Sequence, residues 1–188
     1  AANLAAGLQD AYLAMSPVVA ITGHRPTLQR VKNSYQEVRH APLYDPVTKF
    51  DVTVTRVEQL PLLLRQAFRE ATSGAPGPVH LDLQGIQGEE VINAEAELEA
   101  VAEKQFSRFP AIRPQPEAEL VRETGKALAR ARRPVIVAGG GVTASEAERE
   151  VVELAEMLSI PVATSLNGKG TIADDHSLAV GVVGSYSR

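Results

Sequence analysis

The 188-residue chain carries 19 lysines and arginines against 23 aspartates and glutamates, a net charge of −4 spread without long runs of one sign. That balance argues against nucleic acid or an anionic membrane as a partner. With no cysteine there is no disulfide framework, thiolate zinc site or cysteine nucleophile, which fits a reducing, cytoplasmic setting.

The opening residues, Ala1-Ala2-Asn3-Leu4, include no initiator methionine and no basic secretory segment, so the chain is expected to begin in mid-protein. Leu4, Leu8, Ala11, Tyr12 and Met15 fall at helical spacing until Ser16-Pro17 interrupts them. Val18 to Ile21 is a continuous apolar run closed by Thr22-Gly23, which predicts a parallel strand buried on both faces. Neither this run nor Pro134 to Ala138 approaches the roughly 20 apolar residues needed to span a bilayer.

Residues 24 to 48 hold Pro26, Pro42, Pro46 and many polar groups, and are expected to form a long connection with brief helices only. No two histidines in it have metal-ligand spacing of the H-x-x-x-H kind, and no metal ligand is assigned. Ser34, His40 and Asp45 lack a nucleophile elbow, so a Ser-His-Asp triad is rejected.

Phe50 to Thr55 predicts a strand, and Val57, Leu60, Leu64, Ala67, Phe68 and Ala71 trace one face of a helix. Pro61 places the start of that helix near Val57 or Glu58. Val79 to Leu83 follows as a buried strand, completing a β-α-β unit, and His80 within it is expected to be hydrogen-bonded in the core. Residues 86 to 116 are acidic and then proline-rich, the composition of a linker.

A second unit is expected to comprise a helix on Leu120, Val121, Thr124, Ala127, Leu128 and Ala131, a strand Pro134 to Ala138, a helix on Ala147, Val151, Leu154, Ala155 and Leu158, and a strand Ile160 to Thr164. Strands separated by helical patterns predict an α/β fold: parallel sheets flanked by helices, parts of two doubly wound domains joined by a linker.

Two glycine-bearing turns follow the last two strands. Gly139-Gly140-Gly141 stands before a helix whose start is signalled by Thr143 or Ser145, and Ser165-Leu166-Asn167-Gly168 follows the next strand. Both belong at the carboxyl edge of the sheet, where open α/β sheets bind ligands and where backbone N–H groups can meet a phosphate. Ordinary tight turns have the same composition. His176, after Asp174-Asp175, is read as a loop histidine with its polar groups satisfied.

Taken in order, the motifs resemble a known family. Ala2-Asn3-Leu4 through Tyr12, Pro17 to Gly23, Tyr35-Gln36-Glu37, Thr48-Lys49 and Ala71 to Asp82 resemble the second half of the pyrimidine-binding domain of acetolactate synthase-like enzymes that use thiamine diphosphate. Arg133 to Gly141, Ile160 to Gly170, and Asp175-His176 through Gly184 resemble the first half of that family's central domain.

The resemblance implies a 2-oxo acid decarboxylase or carboligase, cytoplasmic, dimeric or tetrameric, with thiamine diphosphate and magnesium as cofactors of the parent protein. It divides the chain into residues 1–85, a linker 86–116, and residues 117–188. It implies that Asn3 and Gln36 lie near the thiamine cofactor and that Gly139, Gly140, Gly141, Ser165, Leu166, Asn167 and Gly168 face FAD or ADP. Ala75 stands where flavin-binding members carry arginine. The family's catalytic glutamate and its G-D-G diphosphate motif are not in these residues, so no catalytic residue is assigned and the isolated chain is expected to be inactive. A non-catalytic adenine-nucleotide module, built on the same turns, is the alternative.

Overall fold

A computed structural model describes residues 1–85, 97–99 and 101–185. The chain divides into two compact units, Ala1–Ile112 and Arg113–Arg188.

In the first unit, helix α1 (Ala2–Leu13) leads into strand β1 (Val18–His24). Short helix α2 (Ala41–Tyr44), strand β2 (Phe50–Val54), helix α3 (Leu60–Thr72) and strand β3 (Pro78–Gln84) follow. The three strands form one parallel sheet in the order β1-β3-β2. The expected β-α-β unit is β2-α3-β3, and α3 is preceded by a 3-10 turn at Val57–Gln59 with Pro61 in its first turn, where the missing N–H is harmless. The Gln59 side chain accepts from the backbone N–H groups of Thr55 and Arg56, which fixes the entry to the helix. At the other end Lys49 Nζ donates to the carbonyls of Glu70 and Ser73, groups that a helix C-terminus leaves unpaired.

Strand alternation sorts this sheet into two unlike faces. Val79 and Leu81 of β3 pack with Val54, Ala67 and Ala71, and with the half-buried Leu83, Val52, Val19 and Leu64, against α3. On the opposite face, Ala20 packs with Ala5, Leu8 and Tyr44 from α1 and α2. Only β3 is buried along nearly its whole length. β1 has one buried residue, Ala20, and Ile21 is 52% exposed, so the expectation of burial on both faces does not hold. The apolar run fits a strand, but its place at the sheet edge is set by topology, which leaves one flank without a neighbouring strand among the described residues.

Residues 86–96, inside the stretch read as linker, lie outside the described residues. Part of its remainder packs on α3: Glu103 pairs with Arg65 and Arg69, Phe106 is 8% exposed, and the Ala111 N–H donates to the Thr72 carbonyl.

The second unit runs α4 (Ala118–Arg130), β4 (Ile136–Ala138), α5 (Gly140–Ser145), α6 (Glu148–Leu158), β5 (Val162–Thr164) and β6 (Ala179–Val182). Its sheet is parallel, in the order β4-β5-β6, over a core of Ala138, Ala155, Val162 and Ile172. The helix after the triple glycine begins earlier than expected. Gly140 and Gly141 form its first turn, the helix ends after six residues at Glu146 in left-handed conformation (φ 53°), and α6 restarts at Glu148. Thr143 therefore lies inside α5 and Ser145 is its last residue, and neither caps a helix start. β6, which contains Gly181, is a strand the sequence reading does not predict.

Candidate functional site

Each unit presents polar groups at the carboxyl edge of its sheet. In the second unit the two glycine-bearing turns are adjacent. The Ser165 N–H donates to the Ala138 carbonyl (2.8 Å), and Ser165 Oγ accepts from the Gly168 N–H (3.2 Å), closing the Leu166–Gly168 turn. Gly168 is buried, and a Cβ there would lie 2.3 Å from the Ala138 carbonyl oxygen; at Gly140 it would lie 3.1 Å from Asn167 Cβ. These two glycines are needed for the turns to touch each other. Gly139 and Gly141 are different: a Cβ at Gly139 would meet only Ser165 Oγ at 3.9 Å, and at Gly141 nothing within 4 Å. Leu166 and Asn167 are exposed beside them. His176, as expected, has both ring nitrogens engaged: Nδ1 accepts from the Leu178 N–H, and Nε2 lies 3.1 Å from Glu156.

In the first unit the sheet face opposite α3 carries Thr22 and His24 from β1, Asp51 from β2, and His80, Asp82 and Gln84 from β3. The register explains the grouping, since Thr22 pairs with Asp82 and Asp51 with His80. His80 is fully buried, stacked on Tyr44 at 3.5 Å, with Nδ1 2.5 Å from Asp51 Oδ1 and Nε2 2.7 Å from Thr22 Oγ1. Burial lowers its pKa, outweighing the neighbouring carboxylates that act to raise it. The Thr22 hydroxyl donates to Asp82 Oδ1 (2.8 Å).

Asp82 Oδ1 also lies 3.0 Å from His40 Nδ1, and Oδ2 lies 2.9 Å from His24 Nδ1. Burial acts to raise the Asp82 pKa, but the two imidazoles and the Thr22 hydroxyl hold it below the usual carboxylate value. One carboxylate thus ties together both ends of the 25–39 connection. Within that connection Glu37 accepts from the Ser34 and Val31 N–H groups, which lowers its own pKa, and Arg25 donates to the Tyr35 carbonyl.

A cleft of about 700 Å³ opens over this cluster, walled by His24, Arg25, Arg30, Asn33, Glu37, Arg39, His40, Thr53 and Asp82 among others. Asn3, in the first turn of α1, and Gln36, exposed with φ 59°, are not among its walls. The His24–His40–Asp82 grouping escaped sequence reasoning because its members are 16 and 42 residues apart in sequence. The alternation His80-Leu81-Asp82-Leu83-Gln84 in a strand was the available signal.

The family described as "Thiamine pyrophosphate enzyme, central domain" matches residues 121–188. A protein described as "Probable acetolactate synthase large subunit", from Methanocaldococcus jannaschii, is 38% identical over 188 residues, covering 99% of this chain and 31% of that protein. Residues 121–188 thus match a thiamine pyrophosphate enzyme central domain, and the chain as a whole is similar to acetolactate synthase large subunits.

A glyoxylate carboligase of Escherichia coli O157:H7, 37% identical over 168 residues, covers 89% of this chain and has 27% of its own length matched. A solved structure of a protein described as a thiamin diphosphate-dependent enzyme, from Mycobacterium smegmatis, superposes with a TM-score of 0.73 at 23% identity over 97% of this chain and 34% of that one. The likeness agrees with the fold: two parallel three-stranded sheets flanked by helices. The chain spans about a third of the length of the curated relatives it matches.

Proposed function

We propose that these residues are part of a cytosolic thiamine-diphosphate-dependent carboligase or lyase acting on a 2-oxo acid, and that they do not complete an active site by themselves. The observation that supports this reading is collinearity: one uninterrupted match to acetolactate synthase runs through both units. In such enzymes the cofactor supplies the carbanion chemistry, and the protein supplies binding, orientation and electrostatics. Asn3 and Gln36 are assigned a place near the thiamine ring, and the domain limits 1–85, 86–116 and 117–188 are retained for the parent protein. The parent is read as a homodimer or homotetramer using magnesium.

The test is turnover. The protein encoded by the complete reading frame should consume pyruvate or glyoxylate only when thiamine diphosphate and magnesium are added, while the 188 residues alone should not. Failure of the complete protein with a panel of 2-oxo acids, or turnover by the isolated chain, would overturn the proposal.

Occupancy of the second unit's turns by FAD or ADP is a finer part of the same reading. Gly139, Gly141, Ser165, Leu166 and Asn167 would face the ligand, whereas Gly140 and Gly168 serve the contact between the turns. Quenching of flavin fluorescence on titration, lost in Gly141→Val, would support it; an unchanged signal would remove FAD from the assignment.

A further inference from the structure

The first unit contains a donor set to which the proposed function assigns no role. His24 at the end of β1, His40 next to α2 and Asp82 near the end of β3 each offer one ligand atom, and these atoms all lie within 4.8 Å of one another. Their side chains are 13%, 6% and 7% exposed, so the three are largely withdrawn from water yet open onto the cleft. Buried polar groups of this kind are ordinarily paired. His24 Nδ1 is the exception: it is fully buried and, although 2.9 Å from Asp82 Oδ2, has no partner in hydrogen-bonding alignment. Of the three donor atoms it is the one whose hydrogen-bonding need the fold leaves least satisfied, and it lies beside the carboxylate that would share the ion.

We propose that His24, His40 and Asp82 bind a first-row transition metal, Zn²⁺ above all, with the remaining coordination position facing the cleft. Two imidazole nitrogens and one carboxylate oxygen match the ligands of open zinc sites, and they are too rich in nitrogen for magnesium or calcium. Zn–N distances of about 2.0–2.1 Å at tetrahedral angles put donor atoms roughly 3.3 Å apart. The observed 2.9 and 3.0 Å separations run to different oxygens of Asp82, Oδ2 and Oδ1, and all donor atoms lie within 4.8 Å of one another, so the rings and carboxylate readjust around the ion on loading. Thr22 already supplies an outer contact, its hydroxyl donating to Asp82 Oδ1.

One neighbour opposes the metal. Arg30 Nη2 lies 2.7 Å from His24 Nε2, and since an arginine can only donate, it holds the ring hydrogen on Nδ1, the atom the metal needs. Arg30 is exposed and free to withdraw. This supplies a test that a merely structural role for the three residues would not pass.

Cobalt(II) titrated into the complete 188-residue chain should give the visible absorption of a tetrahedral site, saturating at one equivalent and displaced by zinc. His40→Asn and Asp82→Asn should each weaken binding by at least about 100-fold, more than the loss typical of an outer-contact residue. Arg30→Gln should strengthen it severalfold. His176→Gln, altering the histidine beside Glu156, should leave it unchanged. His24→Ala, at the least buried of the three positions, provides the loss-of-ligand variant should circular dichroism show the other two misfolded. Absence of saturable binding, binding that survives loss of a folded ligand variant, or no gain from Arg30→Gln would overturn the site and leave a hydrogen-bonded cluster.

Discussion

Gly168 and Gly141 belong to the same pair of turns and respond to opposite constraints. A methyl group at Gly168 would enter the Ala138 carbonyl, 2.3 Å away, so Gly168→Ala is expected to destabilise the second unit by about 1–3 kcal/mol through forced displacement of packed backbone. Gly141 sits in a helix with open space around its Cβ position, so Gly141→Ala is expected to stabilise by roughly 0.5–1 kcal/mol by restricting the unfolded chain. Chemical denaturation of the two variants side by side measures both, and equal effects would contradict the packing argument.

His80 gives a second prediction at this scale. Its folded pKa lies below its ordinary value because burial disfavours the imidazolium. As pH falls through about 6.5, the unfolded chain takes up the proton first, and the stability present above that pH is progressively lost. Asp82 acts in the same direction at lower pH, since its depressed carboxyl contributes above the usual carboxylate value and not below it. The thermal midpoint should therefore decline on acidification from neutral pH, and His80→Asn should flatten the first part of that decline. The adjacency of His80, Asp51 and Thr22 was not legible from spacing; only a core role for His80 was, because a histidine inside an apolar alternating run has nowhere else to point.

Among the elements, α3 shows how a helix acquires partners from distant sequence. Its apolar stripe was readable from periodicity, and the stripe packs against β3 and β2 as that period requires. Its outer face was not readable. Arg65 and Arg69 converge on Glu103, and Arg69 lies over the Phe106 ring at 5.3 Å. The Arg69 and Arg65 guanidiniums hold the Glu103 carboxyl down to about 2. The sign follows directly: the pair contributes in full above the ordinary carboxylate pKa of about 4.5 and loses its contribution as pH falls toward 2. A difference in thermal midpoint between the native chain and Glu103→Gln is thus expected near neutral pH and should close in strong acid. Helix α4 is the converse case. Its apolar positions were read correctly as helical, yet it has no buried residue, and Leu120 and Val121 are more than half exposed. Periodicity identifies a face and is silent about what covers it.

At the scale of the whole molecule, the described hydrophobic clusters and the polar network each lie entirely within one unit: two clusters and the network in Ala1–Ile112, and one cluster in Arg113–Arg188. Residues 1–112 produced alone are accordingly expected to fold, with slow amide exchange in β3 and a sigmoidal denaturation curve. A broad, non-cooperative transition would contradict that expectation.

Some properties of this protein follow from the amino-acid order alone. The parallel α/β class, the β-α-β units and the nearness of the two glycine turns depend on periodicity and on short connections, which are local. The resemblance to thiamine-diphosphate-dependent enzymes follows from many motifs in sequence order. The tertiary structure alone decided that β1 is an edge strand, that residues 101–112 pack on α3, and that His24, His40 and Asp82 meet. Each of these depends on strand order and register, which bring together residues far apart in the chain and leave no mark in any short window of it.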